Sequence, residues 1–240
     1  MNNSKKTYVL VHGSWHGGWS FAQTKAALEN SGVNVVTFDL PAHGDDKTKI
    51  PDVTLDIYAE KVIKELNDLD GKVILVGHSL GGFVITKVVE KVPEKIEKLI
   101  FISAMVPNNE KTVFDILSED KESQLLQNLI FAEDESWATV SEETLVNVVY
   151  NGATKDQIKA SAPNLVNEPT QPFFVPVTTT VNFDQIPKAY IICAKDKVIS
   201  QNAQQHLIDV CKIGTKLTIN TGHVPQIEKP IELANLLLQV

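Results

Sequence analysis

Apolar and polar positions along the 240-residue chain follow two alternating rhythms. Short runs rich in β-branched residues recur at Thr7–Val11 (TYVLV), Val33–Phe38, Lys72–Val76, Lys98–Ser103, Lys188–Ala194 and Lys216–Asn220. They read as strands, and the unbroken runs as strands covered on both faces. Between them the apolar spacing changes to three and four. Ser20–Asn30 predicts a helix stopped by Gly32, and Thr54 predicts the cap of a helix that puts Tyr58, Val62, Leu66 and Leu69 on one face. Val84, Val88 and Val92 mark a third helix, and Ile231–Val240 closes the chain as another. Buried strands alternating with helices specify an α/β class, a mostly parallel six-stranded sheet with helices on both faces.

Residues 107–187 interrupt this rhythm. Helical stretches are predicted over Glu119–Phe131 and Ser141–Tyr150, with a short one after the capping-box pattern Thr154-x-x-Gln157. A return bearing Pro163, Pro169, Pro172 and Pro176 follows. The expectation is a small helical cap, residues 107–187, inserted into a core made of residues 1–106 and 188–240. Phe114, Leu117, Leu126, Leu129, Phe131, Trp137, Val148 and Phe174 would pack the cap and wall an apolar pocket beneath it.

Composition adds exclusions. Hydrophobic residues at 43% and charged ones at 22% describe an ordinary globular chain, and a net charge of −8 argues against nucleic acid or an anionic membrane as partner. No apolar run approaches membrane-spanning length. The start MNNSKKTYVLVHG lacks the apolar stretch of a secretion signal, so a cytoplasmic location is expected. Cys193 and Cys211 fall in apolar contexts without metal-ligand spacing; neither a metal nor a cofactor is called for. Oligomeric state is not legible; a homodimer is one option.

The chemistry concentrates at residues 72–92, KVILVGHSLGGFVITKVVEKV. Gly77-His78-Ser79-Leu80-Gly81 sits between a buried strand and a helix, the context that makes G-x-S-x-G a nucleophile elbow. Gly77 and Gly81 remove side chains that would collide around an exposed serine. A serine nucleophile needs a base, itself oriented by a carboxylate, in the chain order serine, acid, histidine. Of six histidines, His12, His16 and His43 precede Ser79, His78 adjoins it, and His206 lies mid-helix. His223, in a loop after the last strand, is therefore the expected general base. Asp196, directly after the KAYIICA strand, is the expected acid, with Glu110 as the alternative. The glycine-rich loop after the first strand, His12-Gly13-Ser14-Trp15-His16-Gly17-Gly18-Trp19, reads as half of an oxyanion hole. Its expected donors are the N–H groups of Ser14 and Leu80, with His12 and Gly13 supporting the loop.

The stretches YVLVHGSWHGGW, FDLPAHG, VILVGHSLGG, AYIICAKDKVIS and GHVPQ together resemble the α/β-hydrolase superfamily. They are similar to its small branch of plant methyl esterases, hydroxynitrile lyases and bacterial pyrethroid-hydrolase-like esterases. The likeness spans nearly the whole chain and is thinnest over residues 110–165. It implies the α/β-hydrolase fold, cofactor-free hydrolysis of a small-molecule ester, and the same three residues, Ser79, Asp196 and His223. The lyases of this branch carry a threonine directly after the first-strand histidine and a lysine directly after the catalytic histidine. Gly13 and Val224 stand there instead, which disfavours cyanide elimination. A non-hydrolytic enzyme on the same residues, or a slowly turning-over receptor, is the alternative reading.

Overall fold

The computed structural model describes residues 5–107 and 111–240. Its centre is one sheet of six parallel strands: β1 (Thr7–Val11), β2 (Asn34–Thr37), β3 (Val73–His78), β4 (Ile96–Ile102), β8 (Lys188–Cys193) and β9 (Thr215–Ile219), in spatial order β2-β1-β3-β4-β8-β9. Every pairing in it is parallel. All six strands therefore end along one edge, and the loops that leave that edge converge.

Strand alternation builds two cores. Val9, Val11, Leu75, Leu99, Phe101, Tyr190 and Ile192 face one side. Tyr8, Leu10, Ile74, Val76, Ile100, Ile102, Ala189, Ile191 and Cys193 face the other. Helices α1 (Ala22–Asn30) and α10 (Pro230–Gln239) cover the second face through Leu28, Leu233 and Leu237. Helices α2 (Leu55–Asn67), α3 (Gly81–Lys91) and α8 (Gln201–Val210) cover the first through Tyr58, Val62, Leu66, Val84, Val88 and Leu207. Each such side chain, fully buried, contributes about 1.5–3 kcal/mol of transfer free energy, which explains the near-absence of polar residues from β3.

Between β4 and β8 the chain differs from the all-helical expectation. Helix α4 (Val113–Glu119) ends where the helix over Glu119–Phe131 was expected to begin. That stretch instead forms a 3₁₀ turn, Leu126–Asn128, and strand β5 (Leu129–Phe131). With β6 (Trp137–Val140) and β7 (Glu168–Pro169), β5 makes a three-stranded antiparallel sheet. The apolar spacing of Leu125, Leu126 and Leu129 imitates a helical face. The pairing of Leu129 with Val140 and Phe131 with Ala138 overrides it. Helix α5 (Glu142–Thr144) runs into a π-helical turn at Leu145–Val149. Helix α6 (Lys155–Ser161) carries the Thr154–Gln157 capping box, and α7 (Val181–Gln185) leads back to the main sheet. After β9, a one-turn helix α9 (Pro225–Glu228) precedes α10. No described helix is long and apolar enough to cross a membrane.

The Thr54 side chain accepts the Ile57 N–H at 3.2 Å and caps α2. Thr54→Ala should cost about 1 kcal/mol. For a chain of this size that lowers the melting temperature by about 2–4 °C. An unchanged melt would show that the cap is replaced by water.

Candidate functional site

The site lies along the edge where the six strands end. Ser79 follows β3 immediately and has φ = +52°, the left-handed region that a non-glycine residue enters only under constraint. The constraint is visible on both sides. Ser79 N–H donates to the Ile102 carbonyl at 3.2 Å, and its own carbonyl accepts from Gly82 N–H at 3.0 Å and Met105 N–H at 3.2 Å. A methyl group on Gly77 would lie 2.6 Å from the Gly81 carbonyl oxygen, so strand and helix close this tightly only around a glycine.

The loop after β9 brings His223 over the serine. Its Nε2 is 3.0 Å from Ser79 Oγ, and its Nδ1 is 2.7 Å from Asp196 Oδ2. Asp196 stands in the loop after β8 and receives two further bonds through Oδ1, from Val198 N–H at 2.7 Å and Ile199 N–H at 3.0 Å. Ser103 Oγ also donates to Oδ2. Ser103 ends the β4 run and was not singled out from sequence; its one signal was a serine at the edge where the other site loops emerge. Glu110 lies outside the described residues.

Four buried imidazoles surround this chain, each held in one orientation. His12 donates through Nδ1 to the Gly13 carbonyl at 2.9 Å and accepts Leu40 N–H at Nε2, 3.0 Å. His16 donates through Nδ1 to the Ser14 carbonyl at 2.7 Å, and its Nε2 accepts the Tyr150 hydroxyl at 2.8 Å. His78 donates through Nε2 to the His223 carbonyl at 2.8 Å, while its Nδ1 accepts from Gln226 at 3.3 Å. Each of these three rings uses one nitrogen as an acceptor, so it is neutral. Burial depresses all three accordingly, His16 to about 4 and His12 and His78 well below their ordinary value.

His43 is the exception. Both of its nitrogens point at acceptors, the Pro41 carbonyl at 3.0 Å and Glu168 Oε2 at 2.9 Å. Burial pulls its pKa down, but the charge and hydrogen bond of Glu168 outweigh that and hold it above its ordinary value. Glu168, on β7, is fully buried and also accepts the Trp15 N–H at 3.0 Å and the Tyr58 hydroxyl at 3.1 Å. No sequence signal marks Glu168 as a hub, because its partners are more than a hundred residues away along the chain.

These contacts fix the glycine-rich loop atom by atom. The Ser14–Trp15 peptide is pinned at its carbonyl by His16 and at its N–H by Glu168, with Trp15 held at φ = +62°. The Gly13 carbonyl is taken by His12. The Ser14 N–H, like the Leu80 N–H, makes no hydrogen bond among the described residues. Gly13 stands so close to the elbow that a methyl group on it would lie 2.7 Å from Ser79 Cβ. Exposure is low throughout: Ser79 5%, Ser14 7%, Asp196 8% and His223 2%. Among the described residues no cluster of His, Cys, Asp and Glu has metal-holding geometry.

Ser79 follows the third strand of this six-stranded parallel sheet, and residues 8–236 match the alpha/beta hydrolase family. The chain belongs to that family. It is 30% identical over 254 residues to Methylesterase 1 of Arabidopsis thaliana, covering 98% of this chain and 96% of that one. It is equally 30% identical over 253 residues to Salicylic acid-binding protein 2 of Nicotiana tabacum, at 98% and 96% coverage. The structure of polyneuridine aldehyde esterase superposes with a TM-score of 0.87 at 22% identity, covering 98% of both chains. Full-length likeness to named methylesterases supports a serine esterase-type member of the alpha/beta hydrolase family.

The buried His43–Glu168 pair has a pH signature. The His43 pKa lies above its unfolded value of about 6.5, so its stabilisation is complete below that value and is lost as pH rises through the folded pKa. As pH rises above about 6.5, wild type should lose stability relative to His43→Gln, measured by denaturant midpoints. Parallel curves would exclude a charged pair. Glu168→Ala, which takes the acceptor from His43, the Trp15 N–H and the Tyr58 hydroxyl, should cost about 3–5 kcal/mol.

Proposed function

We propose that this alpha/beta hydrolase cleaves small carboxylic esters through an acyl-enzyme on Ser79. The observation that carries the reading is the unbroken hydrogen-bonded chain Ser79 Oγ–His223–Asp196, beside the Ser14 and Leu80 N–H groups, which make no hydrogen bond among the described residues. His223 Nε2 takes the Ser79 proton as Oγ attacks the ester carbonyl carbon. Negative charge then develops on the carbonyl oxygen between Leu80 N–H and Ser14 N–H, each donor contributing about 3 kcal/mol to the transition state. His223 returns the proton to the departing alkoxide, and water, deprotonated by the same imidazole, releases the acid. Asp196 keeps the Nδ1–H tautomer in place and stabilises the imidazolium. Its four hydrogen-bond donors keep the carboxylate from turning away.

The small exposure of Ser79 fits a compact ester, and the names of the relatives make a methyl ester the first choice of substrate. Elimination of cyanide is disfavoured: a threonine at position 13 would meet Ser79 Cβ, and the residue after His223 is the buried, apolar Val224.

Wild type and Ser79→Ala compared on p-nitrophenyl acetate, butyrate and octanoate, and on methyl esters of small aromatic acids, test the reading. Turnover should fall by at least about 10⁴-fold in the variant, with the acetate favoured over the octanoate. Equal turnover by the two proteins would remove Ser79 from the chemistry. A cyanohydrin cleaved faster than any ester would replace hydrolysis by elimination.

A further inference from the structure

Behind the His223 loop lies a second carboxyl group that the proposed mechanism does not use. Glu228, in the last turn of α9, accepts the Gly222 N–H on Oε2 at 2.8 Å. Its other oxygen, Oε1, is buried without a partner, and so is Oδ1 of Asn151. A methyl group on Gly222 would lie 2.2 Å from Asn151 Oδ1 and 2.8 Å from Glu228 Oε1. Both oxygens therefore border the space on the bare side of that glycine. The Asn151 amide cannot resolve this by turning over. Its Nδ2 donates to the Lys195 carbonyl at 2.8 Å, and a flip would set oxygen against oxygen there. Two buried acceptors aimed at one space are a costly arrangement unless a proton lies between them.

We propose that Glu228 carries that proton in the working enzyme and, with Asn151, acts as a positioning pair for both loops of the proposed active site. The neutral acid accepts from Gly222 through Oε2 and offers its own O–H toward Asn151 Oδ1, while Asn151 holds the Lys195 carbonyl. One residue from the insert, placed just after the π-helical turn, thus ties the Lys195–Asp196 peptide to the Thr221–Gly222 peptide, one residue short of His223. Gln157 strengthens the seam by donating to the Ile227 carbonyl at 2.6 Å.

The placement of donors agrees. Asp196 receives four and is fully occupied as an acceptor, whereas Glu228 Oε1 receives none. Two carboxyl groups near one histidine, in environments this unequal, separate into a charged and a neutral one. Burial pushes Glu228 above the usual carboxyl range, against the opposing pull of the Gly222 and Val224 N–H groups. The titratable groups facing it are Asp196 and His223, with the Cys193 thiol beyond them. A neutral Glu228 leaves Asp196 as the single negative charge the imidazolium answers to.

The inference rests on His223 acting as the base, so its test reads both activity and the proton itself. Glu228→Ala and Asn151→Ala should each lower kcat by about tenfold with little change in KM. The double variant should be no worse than either alone, because each removes the same link. Glu228→Gln places an amide N–H where the acid O–H stood and should restore kcat. It should also leave the acid limb of the kcat/KM profile at the wild-type pH. Were Glu228 ionised, removing its charge would move that limb to lower pH, and this result would overturn the proposal. So would a Glu228→Gln variant as impaired as Glu228→Ala. Independently of any activity, the infrared difference spectrum of wild type minus Glu228→Gln at neutral pH should contain a protonated-carboxyl stretch. A carboxylate band in its place would sink the proton assignment even in a fully active esterase. The carboxyl stretch in a protein that hydrolyses no ester would instead leave the proton in place and fault the esterase reading.

Discussion

A serine at φ = +52° is the constraint on which the rest of the molecule turns. That conformation costs on the order of 1–3 kcal/mol and persists only where the surroundings over-determine it. Here the over-determination is concrete. Parallel strands on both sides of β3 fix where the turn begins, and hydrogen bonds to Ile102 and Met105 fix where it goes. Helix α3 packs in so closely that neither flank tolerates a side chain. The same geometry delivers Ser79 to the edge of the sheet where the loops after β1, β4, β8 and β9 also arrive. The meeting of Ser79, Asp196 and His223 at one edge thus follows from the sheet being parallel.

Around that edge the molecule solves a burial problem with imidazoles. A loop carrying many backbone polar groups into an apolar interior must satisfy most of them. His12, His16 and His78 each bridge two elements with one donor and one acceptor, which a lysine or arginine cannot do without bringing a charge inside. His43, given two acceptors of which one is the Glu168 carboxylate, is instead held above its ordinary pKa. His12 and His43, with ring centres 4.9 Å apart, are shifted in opposite directions, because their partners differ.

Much of this architecture was legible in advance, and the reasons are physical. A strand covered on both faces must be apolar without interruption, so TYVLV and KVILV announced themselves. The elbow followed from glycines flanking a serine between a strand and a helix. Thr54 and Thr154 declared their helices because a cap is a local event. The stretch between β4 and β8 was harder to read. Its strands are three, four and two residues long and partly exposed, with Ile130 and Phe131 open to solvent, so neither length nor alternation separated them from helix. Ser103, Glu168, Asn151 and Glu228 were invisible for another reason. Each is an ordinary polar residue whose meaning comes only from what the fold sets beside it.

Strand β7 has a consequence for modularity. Its Glu168 holds the peptide next to the Ser14 N–H, and Asn151 and Gln157 hold the chain around Asp196 and His223. The excursion between β4 and β8 is thus no detachable roof. A chimera that kept every residue of the six-stranded sheet and borrowed this stretch from a relative would inherit a foreign set of struts. In this chain the excursion and the glycine-rich loop are one matched set, and a change in either is felt by the other.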